Sequence, residues 1–447
     1  MQNKRITGLA ALVLALTMAG TAAHAQTTNQ FSVKQAIDYA SKNAVQVKNA
    51  LLDIQIQKQT NRELTAAAYP QLSASGTVND YLDIPTSLLP AEVFGGTAGT
   101  FIPVKFGTKY NANGGFDASQ LLFDGQVFIG LKARKSAIEL SVKSAEITTE
   151  QIKANVYKIY YQLVVGQKQL GSIDANIQRF EKLLSDVKEI FKQGFAERLD
   201  VDKVQVQLNN LKTEKVKMEN TLRTGNAGLK FLMNMPQREA LVLTDTLSDE
   251  ELKSSILDEA YDYKQSKEFQ ALTLTVKLNK YNVRRYQLSK YPTLAAFGSY
   301  TKNAQRNTFD FFGKGDWFTT SLIGLKLNVP IFSGFGKNAS IAKARYQLQQ
   351  SENNLSQVQE KIDYDVADAR SRMKSALLTM DAQKQNIELA EKVYNTTKLK
   401  FEQGLGSNQE IYDAQTELKV SQNNYYNALY DAITSKIDYL KALGRLP

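Results

Sequence analysis

The stretch IKANVYKIYYQLVVGQKQLGSIDANIQRFEKLLSDVKEIFKQG (Ile152–Gly194) decides the fold. Ile152, Val156, Ile159, Leu163, Gly166, Leu170, Ile173, Ile177, Phe180, Leu184, Val187 and Phe191 recur at alternating steps of four and three. That period puts apolar side chains on one line of a helix, which packs against a second helix as a coiled coil. Beyond Gly194 the pattern resumes at Val201, Val204, Leu208, Leu211, Lys215, Met218 and Leu222, with Lys215 as its one interruption. So short a connection returns the second helix antiparallel to the first. Gln126–Lys192 contains no proline, and at 1.5 Å per residue such a helix reaches about 100 Å.

The same pattern is written twice along the chain. Phe191-Lys192-Gln193-Gly194 recurs as Phe401-Glu402-Gln403-Gly404, and Leu232 to Pro236 as Leu443 to Pro447. Upstream, Tyr69-Pro70-Gln71-Leu72 recurs as Tyr291-Pro292-Thr293-Leu294, and Leu122-Phe123-Asp124-Gly125 as Ile331-Phe332-Ser333-Gly334. The offsets of the Tyr-Pro, Phe-x-Gly, Phe-x-x-Gly and Leu-x-x-x-Pro landmarks are 222, 209, 210 and 211. The jump lies between the Tyr-Pro and Phe-x-Gly landmarks, where a loop grows at little cost. Thereafter the copies keep step, as rods of fixed length must. The division read here is a leader at 1–25, a first repeat at 26–240 and a second at 241–447.

Each repeat opens with a capping-box pattern, Ser32-x-x-Gln35 and Ser248-x-x-Glu251, the first starting a short helix toward Asn43. Longer helices follow at Val45–Ala67 and Glu268–Leu288 and stop at Tyr-Pro, because the residue before proline is pushed out of the helical region. The period then changes to two. In Tyr110–Leu122, Ala112, Gly114, Phe116 and Ala118 oppose Asn111, Asn113, Asp117 and Ser119. In Trp317–Ile331, Ile323, Leu325, Leu327 and Val329 oppose Thr320, Gly324, Lys326 and Asn328. Such strands suit a barrel wall between lipid and water. Leu72–Val78 and Leu294–Tyr300 read as weaker partners, with loops at Asp83–Lys105 and Asn303–Gly315. Tyr69, Tyr291, Trp317 and Phe318 at the strand ends suit a membrane interface. Four strands cannot close a barrel alone, so other copies must meet their edges. A second long helix, Lys337–Glu402, follows in the second repeat.

The chain begins with Lys4 and Arg5, an uncharged apolar run from Ile6 to Met18, and Ala23-His24-Ala25, the order of a secretory signal cleaved before Gln26. His24 is the sole histidine and there is no cysteine. The mature chain therefore lacks thiolate or imidazole metal sites, Cys or His nucleophiles and disulfides. No metal and no cofactor is expected, and no catalytic residues are assigned. The net charge of +10 comes from bases interleaved with acids along helices. That pattern is a solvated face rather than a nucleic-acid footprint.

The doubled Tyr-Pro strand starts, Phe-x-Gly strand ends, Phe-x-x-Gly hairpin tips and Leu-x-x-x-Pro ends resemble the TolC family of outer membrane efflux proteins over Gln26–Pro447. The resemblance implies a mainly α chain with a small β part. It also implies a homotrimer, with four strands per chain in a twelve-stranded outer-membrane β-barrel continuous with a periplasmic α-helical tunnel. Its surroundings would be outer-membrane lipid, a periplasmic adaptor and an inner-membrane transporter. By similarity, Glu410 and Asp413 occupy acidic ring positions at the periplasmic gate, with Glu410 a departure from the expected Asp. Asp200 is the first-repeat equivalent of Glu410, a tether between neighbouring helices with Arg198 and Lys203 nearby. The two acids also suit a helix start on dipole grounds alone. The tips Gly194, Phe195 and Ala196, and Gly404, Leu405 and Gly406, are the implied adaptor contact. Pro70, Gly125, Pro292 and Gly334 are the strand–helix junctions. An exported coiled-coil scaffold or adhesin would share the heptads without needing the strand pairs. A carboxylate-only hydrolase would need a concave pocket that the sequence does not suggest.

Overall fold

The computed structural model describes residues 28–246, 260–313 and 315–446. The leader and its cleavage site, the Ser248-x-x-Glu251 pattern and Pro447 lie outside the described residues. In chain order the elements are β1 (Thr28–Phe31), α1 (Val33–Asn43), α2 (Val45–Ala66), β2 (Gln71–Asp80), β3 (Thr86–Pro90), β4 (Phe101–Lys105), β5 (Tyr110–Phe123), α3 (Gly125–Lys192) and α4 (Arg198–Met233). They continue as β6 (Ala240–Leu243), α5 (Lys267–Leu288), β7 (Thr293–Arg306), β8 (Phe318–Asn328), α6 (Gly336–Glu402) and α7 (Asn408–Ala442). Two compact units emerge, one from Met1–Leu52, Lys143–Gln270 and Gln357–Pro447, the other from Asp53–Val142 and Ala271–Ser356.

In the first unit, the α3 seam is the core. Ile152, Val156, Leu163, Ile173, Phe180, Leu184 and Val187 are buried, and so are Val201, Val204, Leu208 and Leu211 of α4. Gly166 belongs to the seam because a Cβ there would come within 2.9 Å of Leu222 Cδ2. Lys215 is no flaw in the pattern. Its Nζ lies 2.8 Å from Asp174 on the facing helix and 3.8 Å from Glu219, and the hydrogen bond to Asp174 pushes the ammonium pKa up.

Helix α7 packs through two apolar clusters. One gathers Ala154 and Val165 with Met380, Leu429, Ile433 and Ile437; the other joins Ile362, Val366 and Met373 to Tyr439 and Leu443. Beside the first cluster, α3 meets α7 through polar side chains. Gln169 Nε2 donates to Asn423 Oδ1 at 3.3 Å, the Ser172 and Tyr426 hydroxyls lie 2.7 Å apart, and Asn176 Nδ2 donates to Gln422 Oε1 at 2.7 Å. Asn176 and Gln422 are both buried.

The Ser32–Gln35 capping box forms reciprocally and α1 ends at Asn43, as the sequence reading places it. Beside it, β1 and β6 pair in parallel from Thr28↔Ala240 to Phe31↔Leu243. The buried Tyr160 hydroxyl donates to Phe31 O at 2.8 Å and accepts from Asp245 N at 3.2 Å. This small sheet is absent from the sequence reading.

In the second unit, four strands form one antiparallel sheet in the order β2-β5-β7-β8, leaving β2 and β8 as edges. The pairing Leu72↔Ala118↔Gly298↔Ile323 fixes which side chains share a face. One face carries Leu72, Ala74 and Val78, then Phe116 and Ala118, then Leu294 and Ala296, then Ile323, Leu325 and Leu327. The opposite face carries Ser73, Thr77, Asn113, Asp117, Ser119, Ser299, Thr301, Thr320 and Lys326. The apolar face is bare: Leu72 is 75% exposed and Ile323 93%.

Three expectations need correction. The strand β7 runs to Arg306 and is bonded on both sides, so it is a central strand and not a weak partner. The strand β8 stops at Asn328, because Pro330 lacks the N–H to continue the ladder. The expected loop Asp83–Lys105 holds the hairpin β3–β4, paired from Thr86↔Lys105 to Pro90↔Phe101.

Candidate functional site

Both hairpin tips rest on the same backbone device. Helix α3 ends with Gly194 at φ 82°, its N–H bonded to Phe191 O at 3.0 Å and the Phe195 N–H to Ile190 O at 3.0 Å. Helix α6 ends with Gly404 at φ 72°, with Gly404 N–H to Phe401 O at 3.0 Å and Leu405 N–H to Lys400 O at 2.9 Å. This paired closure satisfies the last carbonyls and needs a left-handed residue, which glycine adopts without a Cβ penalty. The next side chains point into solvent: Phe195 is 82% exposed and Leu405 77%. Ala196 and Gly406 are half-buried behind them.

Beneath the tips the hairpins share one core. Phe180, Leu183, Leu184 and Val187 of α3 pack with Val201 and Val204 of α4, Ala390 and Tyr394 of α6, and Ile411 and Leu418 of α7. The Arg179 guanidinium sits 5.3 Å from the centre of the Tyr394 ring, and burial pushes the Tyr394 phenol pKa up.

The three predicted acids occupy helix starts. The carboxylate of Asp200 accepts from the Glu197 N–H at 3.3 Å, while the Glu197 side chain caps the Asp200 N–H. Asp200 also accepts from Asn408 Nδ2 at 3.3 Å, which ties it to the second tip. The expected cations are otherwise engaged. Arg198 pairs with Asp202 at 3.1 Å, and Lys203 Nζ donates to Gln409 Oε1 at 3.2 Å. The tether is therefore to an amide and not to a cation, because the i,i+4 geometry draws Arg198 to Asp202.

At the second tip Ser407 caps the helix, accepting from the Glu410 N–H at 3.2 Å. Glu410 and Asp413 are both exposed and lie one turn apart on α7. Gln409 Nε2 donates to Asp413 Oδ1 at 2.7 Å, so a relay runs Lys203–Gln409–Asp413. A further bridge joins the hairpins, Lys182 to Glu402 at 3.5 Å. Sequence reasoning missed Asn408, Gln409, Lys182 and Glu402. The available signal was height: the repeat sets 198–203 level with 408–413, so polar residues there were placed to meet.

The junctions differ from one another. Gly125 opens α3 where a Cβ would come within 2.8 Å of Leu288 Cβ, and Asp124 Oδ1 caps the turn from Gln126 N at 2.7 Å. Gly334 has φ 56°, and Phe335 after it has φ 64°. Pro70 and Pro292 sit between helix end and strand start. Among the described residues no cluster of His, Cys, Asp or Glu is arranged to hold a metal, and no helix is long and apolar enough to cross a membrane.

Comparison with known proteins places this geometry. The family pattern described as "Outer membrane efflux protein" matches residues 263–445. Outer membrane protein TolC of Vibrio cholerae serotype O1 is 21% identical over 335 residues, 74% of this chain and 76% of that protein. Cation efflux system protein CusC of Escherichia coli K12 is 20% identical over 421 residues, 92% of this chain and 86% of that protein. Among solved structures, the Campylobacter jejuni CmeC outer membrane channel superposes with a TM-score of 0.75 at 16% identity, covering 95% of this chain and 91% of that one. The Vibrio cholerae outer membrane protein VceC gives 0.73 at 14% identity, covering 92% and 96%.

Proposed function

We propose, from its place in the TolC-like outer membrane efflux protein family, that this chain is one subunit of a passive exit duct through the outer membrane, serving efflux or secretion. That family consists of channels rather than enzymes. The observation that carries the reading is the sheet register. It puts Leu72, Val78, Phe116, Ile323, Leu325 and Leu327 on one face and Ser73, Thr77, Asn113, Asp117, Ser299, Thr301, Thr320 and Lys326 on the other, although Leu322 joins the second face. A bilayer leaves no way to satisfy an open sheet edge, so β2 and β8 must be paired by other copies.

Three copies close the barrel in this reading, and the helices offer a matching seam. Val206 and Val216 on α4, and Leu378, Leu389 and Val393 on α6, stay exposed in the single chain. They suit packing against neighbouring hairpins. Glu410 and Asp413 then ring the periplasmic mouth. Asp200 serves as a strut between the two tips. Phe195 and Leu405 project toward a periplasmic adaptor, which couples the duct to an inner-membrane transporter.

The test is extraction. The protein should stay in outer membranes through high salt and alkaline washing, and leave in mild detergent as a trimer. A monomer released without detergent would return the chain to the scaffold class.

A further inference from the structure

The loops at the ends of the two edge strands carry bare apolar side chains. The strand β2 leads from Asp80 through Tyr81–Pro85 into β3–β4. By register, Leu88, Pro90, Phe101 and Pro103 share one face of that hairpin. Leu88 is 64% exposed and Phe101 60%. At the opposite edge of the sheet, β8 begins at Phe318, preceded by a loop that carries Phe309, Phe311 and Phe312. That loop is pinned to the sheet through its rings, Phe309 lying edge-on to Tyr110 at 5.6 Å. Phe311 is buried against Ala112 and Ala304, and its ring stacks edge-on to Phe309 at 5.4 Å. The neighbouring Phe312 is 98% exposed.

We propose that the β3–β4 hairpin of one copy clasps Phe312 and its loop on the next copy, at the loop-bearing end of the barrel. The inference rests on the barrel reading and deepens it. Closing the barrel sets β2 of one copy antiparallel to β8 of the next. Antiparallel pairing brings the Asp80 end of β2 beside the Phe318 end of β8, at about 4.8 Å between strands. The hairpin and the Phe312 loop therefore emerge side by side at each copy-to-copy seam; within one chain they also neighbour across Tyr110↔Arg306, yet leave Leu88, Phe101 and Phe312 exposed. Each brings an apolar face that its own chain leaves uncovered, and the occupant is a second copy of this chain. Burying both removes from water the surface that the single chain leaves wet. The anchor at Phe311 holds Phe312 outward, ready for the neighbour.

The chain has no cysteine, so a cysteine pair reads the contact directly. L88C/F312C, expressed in outer membranes and treated with a short flexible bismaleimide, should give covalent dimers and trimers on a denaturing gel. L88C and F312C alone should stay monomeric. A double variant that remains monomeric, or that bridges within one chain, overturns the clasp. So does a multimer from L88C alone, which would mean that hairpins meet one another. The same membranes are extracted in mild detergent to size the assembly. A trimer without the cross-link removes only the clasp; no trimer removes the barrel reading with it.

Discussion

The two hairpin tips start from the same turn and part company within one helical turn. Both close on a left-handed glycine with the same pair of backbone bonds. In the first, the acid at the helix start is consumed: Asp200 caps its own helix and accepts from Asn408. In the second, a serine does the capping and Glu410 is left with its carboxylate in solvent. Duplication preserved the scaffold of the tip and reassigned its charge. A repeated motif therefore guarantees repeated backbone, because the turn is satisfied locally. It guarantees nothing about the side chains, whose partners lie on other helices.

The comparison breaks most severely if the tips are not one bundle. Phe180 lies in the core common to both hairpins. Phe180→Ala should destabilise the assembly by about 3–5 kcal/mol, read from denaturant or thermal melts of the detergent-solubilised protein. A loss confined below about 1 kcal/mol would show that each tip stands alone. The shared turn is next. Gly194→Ala and Gly404→Ala should each cost about 1–2 kcal/mol, because a Cβ at positive φ strains the backbone. Unequal costs would deny that the two turns are equivalent.

The reassigned charge gives the third test. Asp200→Ala removes one arm of a capping box and should cost about 1 kcal/mol, with little change in conductance. Substituting alanine at Glu410 and Asp413 together should cost less, about 0.3–1 kcal/mol per acid. It should nevertheless abolish cation preference in planar bilayers and relieve block by multivalent cations from the periplasmic side, with both effects strongest at low salt. Unchanged selectivity in an intact trimer would leave both acids as helix-start charges and nothing more. The smallest effect belongs to the relay. Lys203→Met frees Gln409 and should cost about 0.2–1 kcal/mol, while altering cation preference less than the double substitution does. A larger shift in selectivity than in stability would make Lys203 part of the gate.

The long helices were legible because their signals are local and redundant. Absence of proline and terminal glycines fix α3 and α6 to within a residue, and a sustained seam marks α3 as well. The strand faces were legible by alternation, and β7 was underestimated only because Gly298, Thr301 and Asn303 dilute its pattern. The hairpin β3–β4 was hidden by Pro90, Pro103 and the glycines between them, which read as loop; Pro90 and Pro103 fall where a short unpartnered hairpin tolerates them. The β1–β6 pair was invisible for another reason. Two four-residue segments far apart in sequence carry no periodicity, and what brings them together lies elsewhere in the chain or in long-range bonds: the Tyr160 hydroxyl, Asn29 to Glu239, and Val33 N to Asp245. At the site, residue types and heights were readable, whereas the partners of Asp200, Arg198 and Lys203 were not.

The polar contacts between α3 and α7 have a further consequence. An apolar seam alone tolerates sliding, since one leucine fits a neighbouring hole nearly as well as its own. Three consecutive polar pairs do not. Moving α7 along α3 by one turn would separate Asn176 from Gln422, and each buried amide left without a partner costs about 1–3 kcal/mol. The amides thus act as a vernier, permitting one axial setting of the two rods. The level of Glu410 relative to the first tip is calibrated there, some way along the rods from the mouth proposed for it.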